Sequence, residues 1–345
     1  MRKLLNTLYI SSEQLFLSLD NSNVVVKNPD GSENCRVPLH LLESIVTFSR
    51  RGISVPLIAR CSADGIPIYM MSANGSLLAG ISMPSRGNVL LRKAQYRMSD
   101  HEDASFQLAS AFVKGKITNM KHLIDRYSWS HKSHAALADL NLCSSRLKEK
   151  LDRISRSSGD LEALRGLEGD ATAEYFRCFG LMIQDPKGPF AFHGRSRRPP
   201  RDRTNAMLSF AYTLLTNECA AALESVGLDS YVGFLHQDHV GRKSLACDLV
   251  EELRTTYADR FVINLINNRI VQANHFEEKP DGAVYLNQQG RKIFLFHWQN
   301  YKKETLLHPE LNENVPFGLL PYAQAKFLAK YIRGDSTEYV PFFRR

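Results

Sequence analysis

The chain has few of the features that tie a protein to a membrane, an export pathway or a nucleotide cofactor. No uncharged stretch approaches the roughly 20 apolar residues that cross a bilayer. Residues 1–17 include polar side chains and lack the long apolar core and cleavage site of a signal peptide. No G-x-G-x-x-G motif is present, and Gly115–Thr118 fails as a phosphate-binding loop because Ser110 stands where the first glycine belongs. The sequence therefore predicts a cytoplasmic protein and gives no support for ATP or NAD binding.

Paired cysteines are missing as well. The six cysteines stand too far apart in the sequence to form a C-x-x-C zinc or redox pair. They are Cys35, Cys61, Cys143, Cys178, Cys219 and Cys247. Because cytoplasmic thiols are kept reduced, we expect them to be free and mostly buried.

What the chain does have is positive charge and enough length for two domains. Its 345 residues suffice for two hydrophobic cores. The net charge of +8 and the pI of about 9.1 indicate a polyanionic partner. A basic soluble enzyme without a polyanionic partner would explain the net charge equally well.

The apolar periodicity changes near residue 86. Before that point, short segments are rich in β-branched and aromatic residues, and Asn28-Pro29-Asp30-Gly31 is a strong turn signal. From Val89 onward, apolar residues recur at i, i+3 and i+4, as in amphipathic helices. We predict an α+β protein with a small β-rich domain at 1–85 and a larger α-helical domain at 86–345.

Two segments of the helical part are predicted to be irregular. The segment 186–203 is rich in proline, glycine and arginine, which is typical of a loop. The final residues, VPFFRR, are expected to form a short basic tail.

The segment 229–254 combines a histidine with an acidic helix. His236 ends an apolar run, and a Gly-Arg-Lys-Ser turn leads to a helix with Asp248, Glu251 and Glu252. Residues three or four apart share a helix face, so Asp248 lies beside both glutamates. A solvated acidic face is the simpler explanation for these carboxylates, and a satisfied boundary residue is the simpler one for the histidine. The apolar neighbours favour a cation or a basic partner, because carboxylates at the border of a core require one.

Glu168 is a further candidate, on an apolar helix well upstream. Glycines and alanines surround it, which permits close approach of another helix but is equally the pattern of plain helix packing. One histidine and two carboxylates without cysteine favour Mg²⁺ or Mn²⁺ over structural zinc. Such an ion polarises a phosphoryl oxygen and activates an attacking hydroxyl. Asp238 and His239, in the polar turn, are predicted to be exposed.

A series of segments spread over essentially the whole chain occurs together in one known family. They are MRKLLNTLYIS, LSLDNSNVVV, GNVLLRKAQYR, LEGDATAEYF, RRPPRDRTNAMLSFAYTLL, VGFLHQDHVGRKSLACDLVEELR and YVPFFRR. In this order they resemble the CRISPR-associated integrase of spacer acquisition, the Cas-one family. The opening and closing segments are most similar to the type I-C subgroup.

The resemblance implies a site and a fold. Its three metal ligands fall on Glu168, His236 and Glu251, with Asp248 as a supporting acidic residue. Some family members have aspartate where Glu251 stands. The implied fold is an N-terminal β domain that forms a homodimer and a C-terminal α-helical catalytic domain.

The resemblance also implies a reaction and partners. The 3′-hydroxyl of a short foreign double-stranded DNA, the prespacer, attacks a phosphodiester of the CRISPR repeat by transesterification. The nucleophile then belongs to DNA, which agrees with the lack of a Ser-His-Asp or Cys-His signature in this chain. Two homodimers are expected to bracket a dimer of the small Cas-two protein.

Basic residues near these segments are candidates for DNA contact. Arg198 and Arg201 belong to the arginine cluster of the loop 186–203, and Arg242 and Lys243 separate the histidine from the acidic helix. Such side chains neutralise phosphates. A solvated loop explains any single arginine equally well.

A metal-dependent DNA integrase or endonuclease is the leading hypothesis. The alternative is a non-catalytic DNA-binding or assembly subunit with the same fold, which a degraded site would favour. Glu168, His236 and Glu251 are all present. A metal hydrolase of small phosphate esters is a third possibility, against which the basic loop and the missing nucleotide motif weigh.

Overall fold

The first part of the chain forms two small sheets. The computed structural model describes residues 6–344 except 73–74, 76, 82–87, 134, 157–158 and 185–186. Its first elements are β1 (Thr7–Ile10), β2 (Phe16–Asp20), β3 (Asn23–Lys27), β4 (Glu33–Pro38), β5 (Ser44–Thr47), α1 (Val55–Asp64), β6 (Ile68–Met71) and β7 (Leu77–Ile81). One sheet has the order β1-β5-β6-β7, with parallel pairs up to β6 and an antiparallel edge, and the other is the antiparallel meander β2-β3-β4.

Local signals in the sequence explain these elements. The predicted turn after β3 is confirmed, with Gly31 at φ +87° and the Asn28 N–H donating to the Ser32 carbonyl at 2.9 Å. Helix α1 begins at the Ser54 cap and ends at Gly65, whose φ of +70° suits a residue without a Cβ.

The β-rich part has its own core but also packs on the helices. Leu17, Val24 and Ile68 are among the fully buried members of a separate apolar cluster. The Tyr69 hydroxyl donates to the Asn217 carbonyl at 3.0 Å, which joins the two parts of the chain. The change from strands to helices agrees with the prediction, while the boundary at residue 85 falls among residues that the structure does not describe.

Helices dominate the rest of the chain. They are α2 (Val89–Ser99), α3 (Glu102–Ser130), α4 (Leu137–Arg156), α5 (Leu161–Phe179), α6 (Arg203–Ser225), α7 (Ser244–Arg254), α8 (Arg260–Asn267), α9 (Gln288–Tyr301) and α10 (Leu320–Arg333). A π-helical turn, Thr255–Asp259, joins α7 to α8. Apolar faces of these helices form one continuous core. Among the described residues, no helix is both long and apolar enough to cross a bilayer.

Two hairpins interrupt the helical part, which sequence periodicity did not predict. They pair β8 (Phe276–Glu278) with β9 (Val284–Leu286), and β10 (Thr305–His308) with β11 (Glu313–Pro316). Strands of three or four residues are too short to establish an alternating pattern. The described part of the segment 186–203 has no regular structure before α6 begins, as predicted.

The C-terminal residues are packed against the helices and do not form a free basic tail. Asn119 of α3, 1% exposed, donates to the carbonyls of Glu252 and Phe342 at 2.8 Å each and accepts the N–H of Arg344 at 2.9 Å. The Glu252 carboxylate accepts the Tyr339 hydroxyl at 2.8 Å and the Phe342 N–H at 3.2 Å. The terminal segment therefore ties α3 to α7.

We expect Asn119→Ala to lower the free energy of unfolding by about 3 kcal/mol, because two carbonyls and one N–H would lose their partner in the core. Urea denaturation of the purified protein measures the change. Asn141→Ala, at an exposed position of α4, is the matched control. Equal denaturation midpoints for the two variants would contradict this account of the terminal segment.

Candidate active site

Helices α3, α5 and α7 bring three charged side chains together. Lys116 of α3 is 1% exposed, and its ammonium bonds to Glu168 of α5 and to Glu251 of α7. The distance from Nζ to the Glu251 Oε2 is 2.6 Å. Glu168 Oε1 also accepts the hydroxyl of Thr172, one turn further along α5, at 2.8 Å. A buried ammonium is stable only when it is paired, so Lys116 ties both carboxylates to α3.

A glycine beside Lys116 allows this approach. A Cβ at Gly115 would lie 3.0 Å from the Glu252 Cβ and 2.9 Å from the Pro341 Cβ. Both distances are tighter than ordinary packing permits. Gly115, which fits no phosphate-binding loop, therefore lets α7 and the terminal segment lie directly against α3.

Asp248 fixes the loop that carries His236. The carboxylate is fully buried, and its Oδ2 accepts the N–H of Phe234 at 2.7 Å and of Leu235 at 3.1 Å. Its Oδ1 accepts the His236 N–H at 3.0 Å and lies 2.6 Å from the imidazole Nδ1. Because an ionised carboxylate only accepts hydrogen bonds, Nδ1 must donate. The hydrogen bond therefore orients the ring so that the Nε2 of His236 points away from Asp248.

The histidine loop lies against the helix of Glu168. Arg165, one turn before Glu168, donates from Nε to the Leu235 carbonyl at 2.9 Å. His236 also interacts electrostatically with Glu251. The three residues predicted as ligands thus lie in one region, although 68 positions separate Glu168 from His236 in the sequence.

The charges of the site hold its carboxylate ionised. Burial alone would raise the pKa of Glu251, but Lys116, Arg254 and His236 keep it well below its usual range. Burial would likewise lower the pKa of His236, but the hydrogen bond and charge of Asp248 outweigh it, so the pKa lies above its ordinary value. The site combines an ionised carboxylate with an imidazole that a buried carboxylate holds in place.

A second layer of side chains supports Glu251 from inside. Arg254 is 6% exposed, lies 3.3 Å from the Glu251 Oε2 and stacks on the Tyr212 ring at 4.3 Å. Asp259, at the end of the π turn, accepts the Tyr175 hydroxyl at 2.9 Å and bonds to the Tyr212 hydroxyl. π turns are frequent at functional sites, and this one brings Asp259 to Tyr212, the ring on which Arg254 stacks.

The three acidic residues of α7 have three different roles. Glu251 faces Lys116, Asp248 holds the His236 loop, and Glu252 turns to the terminal segment. Burial raises the pKa of Glu252 to about 8, although three groups donate to its carboxylate. A solvated acidic face is therefore wrong for this helix, since all three side chains are buried.

Glu168 lies at the solvent-exposed edge of the site. A Cβ at either Gly166 or Gly169 would meet nothing within 4 Å, so these glycines do not serve helix packing within this chain. Glu168 is 23% exposed and Glu251 is 11% exposed, whereas Lys116 lies beneath them. A ligand that approaches the site from solvent meets Glu168 first.

The basic residues predicted to contact DNA have different surroundings. Arg198 is exposed, and Arg201 bonds to the Asp281 carbonyl. Arg242 bonds to the Gln237 carbonyl in the loop after His236. Lys243 is half-buried with its ammonium 5.4 Å from the centre of the Tyr69 ring, and burial lowers its pKa.

The sequence analysis missed Lys116, and a signal for it exists. Lys116 lies on the buried face of α3, four residues after Phe112 and directly between Gly115 and Ile117, which are also buried. Lysine is almost never fully buried unless it is paired. Asp238 and His239 are exposed, as predicted.

A second group of possible metal ligands lies between α4 and α5. One ligand atom each of Cys143, Glu174 and Cys178 lies within 4.8 Å of the others. The Glu174 carboxylate is already paired with Arg146 at 3.0 Å and Arg177 at 2.6 Å. Two guanidinium groups satisfy its charge, so we interpret the group as an ion-paired packing contact. Four of the six cysteines are buried, and all six are free thiols.

Solved structures show what kind of fold carries this site. The chain superposes on a casposase bound to integration product with a TM-score of 0.84 and 20% identity, over 99% of this chain and 94% of that one. It superposes on a chain of a Cas6-RT-Cas1–Cas2 complex with a TM-score of 0.83 and 22% identity, over 100% of this chain and 37% of that one. The β-rich N-terminal part followed by a helical domain is thus the Cas1 fold, as predicted.

Sequence comparison identifies the family. The pattern of the CRISPR associated protein Cas1 family matches residues 8–300. The CRISPR-associated endonuclease Cas1 2 of Rhodospirillum rubrum is 44% identical over 346 residues, which cover 99% of each chain. The protein belongs to the Cas1 family of CRISPR-associated endonucleases.

Proposed function

We propose that this Cas1 protein joins the 3′-hydroxyl ends of short foreign DNA to the CRISPR repeat by Mg²⁺- or Mn²⁺-dependent transesterification. The observation that carries the proposal is that Glu168 and Glu251 bond to one ammonium beside the loop of His236, in a basic protein. Hard carboxylate oxygens with one imidazole are a donor set that suits both ions. The residues present therefore fit a divalent cation.

Each residue has a role that follows from its contacts. Glu168, Glu251 and the His236 Nε2 would hold the ion, and the ion would polarise the attacked phosphodiester. Asp248 orients the imidazole and keeps the proton on Nδ1, which leaves Nε2 free to coordinate. Arg254 keeps Glu251 ionised and in place.

The attacking group in this proposal is the 3′-hydroxyl of DNA. The protein contributes the position of the two DNA ends and the electrostatic stabilisation of the phosphate. Arg198, which is exposed, and Arg201 and Arg242, which lie in surface loops, are the candidates for contact with the DNA backbone. Lys243 is the weaker candidate because it packs on Tyr69.

We further propose the assembly that the family resemblance implies. Two homodimers, formed through the β-rich part, would bracket a dimer of the Cas2 protein, with prespacer and repeat DNA bound across them. A chain of the same fold lies in a solved complex that contains Cas2, which supports the partner. The similarity of the first and last segments to the type I-C subgroup supports that subtype.

The proposal predicts that removal of divalent ions abolishes strand joining. We expect no half-site product with EDTA and recovery on addition of Mn²⁺, in an assay with the partner protein, a 3′-hydroxyl oligonucleotide and a supercoiled plasmid that carries a repeat. A 3′-deoxy oligonucleotide is the control for the nucleophile and should give no product. Full product in EDTA would disprove the metal dependence. No product with either ion and the partner would favour the non-catalytic assembly subunit.

A further inference from the structure

Lys116 is the one charged group of the site that the proposed chemistry leaves unexplained. Its ammonium lies between Glu168 and Glu251, the two carboxylates that a divalent cation would need. With 1% exposure, it has no route to bulk solvent without a change in the site. A buried ammonium that loses an anionic partner must find another.

The charges already present in the site oppose the binding of a divalent cation. Asp248 is occupied by the His236 loop, so Glu168 and Glu251 are the carboxylates available to a cation. Lys116 and Arg254 already balance these two negative charges. A divalent ion would add two positive charges to a site of low polarity, where like charges repel strongly.

We propose that Lys116 is a positioning residue that couples the binding of the divalent cation to the binding of DNA. The inference rests on the proposed function, because it concerns the same site. The cation displaces the ammonium from at least one carboxylate, and a DNA phosphate at the open face beside Glu168 becomes the new partner of the ammonium. DNA then strengthens cation binding, and the cation strengthens DNA binding by the same factor.

The geometry favours this exchange. Lys116 is fixed by α3 at a point directly below both carboxylates, and lysine is a flexible point charge that can turn its ammonium without moving its helix. Glu168 is the more exposed of the two carboxylates, at 23%, so a DNA backbone would approach the site at this residue. In the absence of DNA, the same lysine joins Glu168 of α5 to Glu251 of α7.

The test measures Mn²⁺ binding by calorimetry, with and without a short duplex that ends in a 3′-hydroxyl. For the unmodified protein, we expect the duplex to strengthen Mn²⁺ binding by about tenfold. Lys116→Met should bind Mn²⁺ about tenfold more tightly than the unmodified protein when DNA is absent, and the duplex should then change its affinity by less than about twofold. Lys116→Arg should keep the coupling, because it keeps the charge.

Lys121→Met is the matched control. Lys121 lies on the same helix, is 29% exposed and pairs with Asp125 at 2.5 Å, away from the two glutamates. Lys121→Met should bind Mn²⁺ as tightly as the unmodified protein, both with and without the duplex. If Lys116→Met binds Mn²⁺ no more tightly than the unmodified protein, or keeps the full effect of DNA, the coupling role of Lys116 is disproved.

A second measurement covers the case in which Lys116→Met is unstable. Because two carboxylates would then face each other without their cation, Mn²⁺ should raise the melting temperature of Lys116→Met more than that of the unmodified protein. An equal or smaller rise would overturn the inference. Failure of the proposed function gives a different result, since Glu251→Gln would then bind Mn²⁺ as tightly as the unmodified protein.

Discussion

Glu168→Gln is expected to lower the rate of strand joining by at least about 10³-fold, which corresponds to roughly 4 kcal/mol of transition-state stabilisation. The substitution keeps the shape of the side chain and removes the charge that would bind the ion. Lys116 keeps Glu251 as its partner, so the fold should survive. The measurement is the initial rate of half-site product in Mn²⁺, with circular dichroism to confirm folding.

Glu162→Gln is the control for this prediction. Glu162 lies on the same helix, is 76% exposed and pairs with Arg165 at the surface. Exposed pairs contribute little, so both the rate and the melting temperature should stay near those of the unmodified protein. Equal rates for Glu168→Gln and Glu162→Gln would show that Glu168 takes no part in the reaction.

Asp248→Asn is expected to lower both stability and activity. The carboxylate accepts four hydrogen bonds, and the amide would turn its NH₂ group towards donors from the His236 loop. The NH₂ group of the asparagine would then face two other hydrogen-bond donors in a fully buried place, which should lower the free energy of unfolding by about 3 kcal/mol. Loss of the orienting contact to a ligand histidine should weaken Mn²⁺ binding by about 10- to 100-fold.

Urea denaturation and Mn²⁺ titration test the two effects separately. Asp238→Asn is the matched control, because Asp238 lies in the same segment and is exposed. A midpoint for Asp248→Asn equal to that of Asp238→Asn would contradict the structural role of the buried carboxylate. Unchanged Mn²⁺ affinity in Asp248→Asn would show that Asp248 does not support the metal site.

The fold could be predicted from the sequence where the signals were local and long. The helical period over residues 89–179 and the turn at Asn28–Gly31 led to elements that the structure confirms. Prediction failed for the two C-terminal hairpins, whose strands have three or four residues. It also failed for VPFFRR, because the partners that bury this segment, Asn119 and Glu252, lie far away in the chain.

The sequence by itself determined the family, the change from strands to helices and the residues Glu168, His236 and Glu251 as candidates. Helical periodicity was enough for the elements, and the resemblance of the motifs to one family was enough for the family and the three candidates, because both are properties of the order of residues along the chain. Only the tertiary structure decided which charges meet. Lys116 reaches Glu168 and Glu251 because α5 and α7 both pack against α3, and Asp248 holds His236 because a loop folds over α7. Electrostatic energy depends on distance in space, which positions along the chain do not specify.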